Sequence, residues 1–279
     1  MYRTFSSGVT ILLLLTVGLG CSFLRPNRPL TWHVVLEIDP AVPDKESAVK
    51  QTVMVIRRRL DDFGIHHFEV LAQGTPPNGR IRVSLPDVSD RERLKELITA
   101  GGKLELTAVI SPPSPSPVRI YSTKEDATAS LGEKVPANRR VLPYSERDHS
   151  IAGGQNSERS QQPQQWVVVE APAIVDGSEL RSSVAVQSDG SAEDYNIAFS
   201  LTPKGAERFG DWTGAHINEY LGVVLNDEIK SIAYIKSQIT DQGEISGRFT
   251  KQSAEDLALV LRSGSLPTAV KIVDEGANK

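Results

Sequence analysis

Cys21 is the only cysteine in the chain, so no intrachain disulfide can form. Outside the cytoplasm a free thiol is a liability unless it is acylated. The five histidines are His33, His66, His67, His149 and His216. His66 and His67 are adjacent at a strand start, so they point to opposite faces and read as turn and surface residues rather than a shared metal site. His216 stands four residues after Trp212 on an expected helix, a spacing that suits stacking better than catalysis. Asp61-Asp62 and Glu228 could be cast as an acid/base pair, but nothing fixes their partners and a solvated face accounts for them. No Gly-rich phosphate loop, Cys-x-x-Cys, His-Glu-x-x-His or Gly-x-Ser-x-Gly occurs. No catalytic residue, metal site, cofactor or enzymatic activity is therefore expected. A net charge of -4 argues against nucleic acid as a partner, and Arg57-Arg58-Arg59 reads as the solvated face of a helix.

The setting of Cys21 gives it a use. It follows the apolar run Val9 to Leu19, about 11 residues, too short to cross a bilayer but the size of a signal-peptide core. Arg3 lies ahead of the run, and small residues at Gly18 and Gly20 suit a cut before the cysteine. Residues 1–20 therefore resemble a bacterial lipoprotein signal, with Gly18 where leucine is usual. The resemblance implies lipidation at Cys21 by acyl chains such as palmitate. It places the chain in the cell envelope, facing the periplasm and anchored to a membrane. Ser22, in place of a retention aspartate, favours the outer membrane over the inner.

Elements must carry the rest of the chain. Trp32 to Ile38 alternates as a strand. Ser47 to Phe63 puts Val49, Val53, Ile56 and Leu60 on one helical stripe, with Ser47 as cap and Gly64 as stop. Phe68 to Leu71 and Arg80 to Leu85 read as strands about a turn from Gly74 to Gly79. Asp90 caps a helix to Thr99, and Leu104, Leu106 and Val109 mark a fourth strand. The order β-α-β-β-α-β predicts a ferredoxin-like base domain over residues 32–110.

Residues 111–165 read as a Pro-rich linker and partly disordered loop, with one short helix over Thr123 to Leu131. A second α+β domain is expected over 166–267. Its strands are Trp166 to Glu170, Ser182 to Gln187, Tyr195 to Leu201, Leu221 to Leu225, Ile229 to Ile235 and Gly243 to Phe249. Its helices begin at Pro203 and after Thr250. A closing strand, Ala269 to Val273, and a tail fill 268–279.

Several motifs in this second region carry a resemblance. Phe199-Ser-Leu-Thr-Pro-Lys-Gly-Ala-Glu-Arg-Phe209 follows F-x-L-x-x-x-G-A-x-x-F. Gly243-Glu-Ile-Ser-Gly-Arg-Phe249 follows G-x-I-x-G-x-F, and Leu261-Arg-Ser-Gly-Ser-Leu-Pro267 follows L-R-x-G-x-L-P. Together with Gly79-Arg-Ile-Arg-Val-Ser-Leu-Pro86, these resemble the periplasmic base and head of the SecD/SecF protein-export family. The pattern is broken at Asn226-Asp227, where the family has Asp-Gly, and at Tyr234, where it has proline. The family continues into a membrane bundle where this sequence ends, at Lys279. The resemblance thus implies a module that binds exported or unfolded polypeptide without proton coupling of its own, with the Sec translocon as an expected partner. Phe199, Phe209, Trp212, Tyr220 and Tyr234 are the candidate polypeptide-binding residues, with ordinary core packing as the competing role for each. The alternative is a structural lipoprotein that uses the same fold to dock another envelope complex.

Overall fold

The computed structural model describes residues 29–74, 78–144, 164–189 and 194–278. Cys21 with its apolar run, His149 and most of the expected 145–165 loop lie outside the described residues. The first elements are β1 (Trp32–Ile38), α1 (Lys45–Asp62), β2 (Glu69–Ala72), β3 (Arg80–Leu85) and α2 (Arg91–Thr99). Then come β4 (Leu104–Val109), α3 (Lys124–Ala129), β5 (Arg139–Tyr144), β6 (Gln165–Glu170), β7 (Val175–Asp176) and β8 (Leu180–Gln187). The remainder is β9 (Tyr195–Leu201), α4 (Pro203–Ala215), β10 (Tyr220–Leu225), β11 (Glu228–Tyr234), β12 (Gln242–Phe249), α5 (Lys251–Ser263) and β13 (Val270–Ala277).

The first sheet runs β13-β1-β3-β2, antiparallel throughout. That is the ferredoxin-like order, with one correction to the sequence reading. The fourth strand is β13, from the far end of the chain, and not Leu104 to Val109. Alternation in β4 shows a half-buried strand but is silent about its neighbour, and β4 pairs along its length with β10. Everything between α2 and β13 is therefore an insertion into the ferredoxin-like unit. Val34, Leu36, Ile81 and Val83 pack under Ile56 and Leu60 of α1 and Leu94 and Ile98 of α2. Asp44, not Ser47, caps α1: its carboxylate accepts from the Ser47 amide at 3.0 Å.

In the insertion, β4 pairs β10, β10 pairs β11, β11 pairs β5, β5 pairs β6, and β6 returns to β4 at Val109 and Val169. The ring closes around Val109, Leu142, Val167, Val169, Val224 and Ile229. A separate sheet, β12-β9-β8, stacks with α4 and α5 over a second core that holds Ile197, Leu201, Leu257 and Leu261. The segment expected as a linker is not a tether. The Ser114 amide donates to Asn218 O at 2.8 Å, Tyr220 Oη donates to Ser116 O at 2.6 Å, and α3 and β5 follow. Proline rules out a ladder partner at those positions but leaves side-chain and carbonyl ties open.

The chain passes between the two units twice, after α2 and after α5. The Leu266 amide of the second crossing donates to Gly101 O of the first at 2.8 Å. Gly102 sits at φ 71, where a Cβ would lie 2.7 Å from Val260 and 3.0 Å from Arg59 Nη2. Arg59 itself is 1% exposed, against the expectation of a solvated triplet. It lies three residues past Ile56 on the buried stripe of α1 and donates to Leu97 O (2.8 Å), Ala100 O (2.5 Å) and Gly264 O (2.9 Å).

Candidate functional site

The five aromatic candidates divide by burial. Phe199 on β9 is 6% exposed and Phe209 on α4 is 1% exposed, and both belong to the core under the three-stranded sheet. Both are packing residues and not part of a binding surface: the motif F-x-L-x-x-x-G-A-x-x-F places each ring on the inward face of its element. Sequence periodicity could have flagged this, since Phe199 alternates with Ile197 and Leu201.

The other three gather at one end of the insertion, on or beside the short connection from α4 to β10. Trp212 stacks on His216, ring centroids 4.2 Å apart and planes 10° from parallel. His216 Nδ1 lies 2.7 Å from Trp212 O, which fixes the imidazole at the end of α4. Ile217 follows, 45% exposed. Asn218 then turns the chain at φ 73, and its Oδ1 accepts from Tyr234 Oη. Tyr234 faces Tyr220 across the β10–β11 ladder with ring centroids 5.9 Å apart. The exposed part is a small shelf of Ile217 and Tyr234. Trp212 is half-buried against the core under the three-stranded sheet and Tyr220 against the core of the ring, so the two ring pairs flank the α4–β10 connection. Rigid aromatic rings with few rotamers bind apolar chains at low entropic cost. His216 and Ile217 were not among the sequence candidates; the i, i+4 Trp–His spacing was the available signal.

The hairpin that departs from the family pattern forms a tight turn. Asn226 and Asp227 sit at φ 51 and 62, the two positive angles that a type I′ turn demands. Asn226 Oδ1 accepts from the Lys103 amide at 3.0 Å, and Asp227 faces Lys103 Nζ at 3.0 Å. The turn is thus fastened to the first inter-unit crossing.

Between the units lies a cleft of about 430 Å³ lined in part by Asp62, Phe63, Arg93, Val184, Asp256 and Arg262. Its charges are paired. Arg93 makes a forked contact to buried Asp256 at 2.5–3.0 Å, and Arg262 approaches Asp62 at 3.4 Å. The hydrogen bond to Asp256 raises the Arg93 guanidinium above its ordinary range. Burial alone pulls Arg59 down to about 10, so it remains a cation at neutral pH. No group of three or more potential metal ligands occurs among the described residues, and no helix there is long and apolar enough to cross a membrane.

Two family models match the chain: "SecDF, P1 head subdomain" over residues 154–268 and "Protein translocase subunit SecDF, P1 domain, N-terminal" over 49–111. Protein translocase subunit SecD of Koribacter versatilis is 35% identical over 232 residues, which span 83% of this chain and 39% of that protein. The SecD of Aquifex aeolicus is 33% identical, over 83% of this chain and 40% of its own length. The chain thus spans well under half the length of these relatives. Among solved structures, SecDF in its super-membrane-facing form aligns with TM-score 0.65 at 23% identity, over 92% of this chain and 32% of that one. A structure titled as SecDF, a membrane component that enhances protein export, aligns with TM-score 0.61 at 24% identity. It covers 87% of this chain and 98% of that one. Both show a shared fold.

Proposed function

This chain belongs to the SecD P1 domain family, and from that premise we propose that it binds exported, extended polypeptide as an accessory to protein translocation. The observation that carries the reading is the exposed shelf of Ile217 and Tyr234, flanked by the half-buried Trp212–His216 and Tyr220–Tyr234 ring pairs. Apolar area rimmed by hydroxyls and carbonyls suits a passing chain of mixed sequence, because contact there depends on ring surface and not on one side-chain pattern. The insertion is the binding unit in this reading and the ferredoxin-like unit its holder. The Sec translocon is the neighbouring machinery, and binding proceeds without proton coupling in this chain. The finer placement belongs to the same proposal: a lipid on Cys21 tethers the protein at the periplasmic side of the cell envelope, at the outer membrane.

Photo-crosslinking in cells tests the binding. A crosslinking side chain at Ile217 or Tyr234 is expected to trap many exported proteins during transit, and one at exposed Met54 of α1 far fewer. A single constant adduct from the shelf would point to a docking module instead. No adduct at either shelf position overturns the reading. Palmitate labelling of the wild type, lost in Cys21→Ser, tests the anchor separately.

A further inference from the structure

The face of the ferredoxin-like sheet turned away from α1 and α2 carries a polar concavity that polypeptide binding does not use. It is shallow, about 540 Å³, and lined by Leu30, His33, Glu69, Arg82, Ser84 and Asn278 together with Ala277. Strand register brings these groups together. Ser84 of β3 stands between His33 of β1 and Glu69 of β2. Arg82, two residues along β3, shares their face.

Two features set this place apart. The one hydrogen bond described for the Arg82 guanidinium goes to neutral Asn278 Oδ1 at 2.9 Å, and no carboxylate of the described residues lies within ion-pair distance. The arginines of the inter-unit cleft, by contrast, each face a carboxylate. His33, 8% exposed, has Nε2 at 3.4 Å from Asp274 Oδ2, while its Nδ1 is buried without a partner. Buried polar atoms are nearly always satisfied by protein, water or ligand, so this lining is built for more polar contacts than the chain itself supplies.

Glu69 decides the character of the missing group. A bare anion beside Arg82 would also meet the Glu69 carboxylate, whereas a ligand that carries an ammonium next to its oxyanion satisfies both. We propose that this concavity binds a zwitterionic amino-phosphate, its phosphate held by Arg82 and Ser84 and its ammonium by Glu69. A guanidinium fork matches phosphate oxygens in a two-bond geometry that a lysine cannot give. The same chemistry is available from an ethanolamine phospholipid headgroup and from a free amino-phosphate. Leu30 on the rim follows Cys21 by nine residues, a stretch that spans at most about 32 Å. On the proposed lipidation of Cys21, a lipid surface holding that anchor is therefore within reach of the concavity.

The test titrates O-phosphoethanolamine into the full chain and follows the His33 imidazole and the Ser84 amide by NMR. Saturable shifts at both are expected, with binding at least tenfold weaker for inorganic phosphate and for Arg82→Gln. Ser84→Ala should weaken binding in the same direction, and Arg139→Gln, remote on β5, should leave it unchanged. Displacement of the probe by phosphatidylethanolamine vesicles but not by phosphatidylglycerol vesicles identifies the lipid source; displacement by neither identifies the free one. Absence of shifts, or unchanged binding by Arg82→Gln, overturns the site. Equal affinity for inorganic phosphate overturns the part given to Glu69.

Discussion

Arg59 is a cation held by carbonyls. The last carbonyls of a helix have no intrahelical partner and lie at its negative end; Leu97 O and Ala100 O, at the end of α2, are such groups. The third acceptor, Gly264 O, closes α5. One side chain of α1 thereby finishes two other helices. Arg59→Ala would leave the buried carbonyls of Leu97 and Ala100 and the part-buried carbonyl of Gly264 unpaired, at about 1–3 kcal/mol for each buried group, and the expected loss is at least 3 kcal/mol by urea unfolding. A deficit under about 1 kcal/mol would remove this role. Arg59→Lys should recover less than half of the loss, because an ammonium cannot fork between acceptors. Burial holds the Arg59 guanidinium at about 10, below its ordinary value, so the desolvation cost is fully present below pH 10 and eases only as pH rises beyond it. The deficit of Arg59→Ala should accordingly stay flat between roughly pH 6 and 9.

At the scale of elements, helices and strands were largely legible in sequence and their partners were not. Thr202 and Thr250 cap α4 and α5 through their hydroxyls, and such local rules need no knowledge of the fold. Pairing is non-local: Leu104-Glu-Leu-Thr-Ala-Val109 fits any sheet with one buried face, so its place beside β10 is invisible in the chain. Arg59 was hidden by its company, since a triplet of arginines reads as solvated although one of the three falls on the buried stripe. The aromatic candidates suffered the reverse error, because residue type alone does not separate Phe209 in the core from Tyr234 at the rim. The β10–β11 turn offers a sharper test at this scale. Asn226→Ala loses both the left-handed tolerance of asparagine and the bond to the Lys103 amide, and should cost about 2 kcal/mol. Asp227→Gly relaxes the backbone but loses exposed ion pairs worth little each, so a change within about 0.5 kcal/mol is expected. Differential scanning calorimetry of the two variants would separate them; an indifferent Asn226→Ala would show that the turn is held from elsewhere.

For the whole molecule, the insertion makes the ferredoxin-like unit depend on its last eight-residue strand, β13. A chain stopped after Pro267 should lose amide protection along the β13-facing side of β1, at Glu37 and at Asp39, whose amide donates to Ala269 O, while Ile38, whose amide donates to Gly79 O, keeps its partner. Hydrogen exchange would show it, and full protection in that chain would contradict the topology. Joining Thr99 to Ala269 through a short Gly-containing linker should instead leave a folded four-stranded unit, because every one of its strands is retained. The position of β1 has a mechanical side as well. The segment ahead of Leu30 leads directly into a strand that lies between β13 and β3, not at an edge. Tension applied through that segment is carried in shear, across both rows of backbone hydrogen bonds at once, and cannot peel them off one by one. On the proposed reading, in which an anchor holds the front end and a translocating chain pulls on the insertion, the load falls at the place best able to bear it.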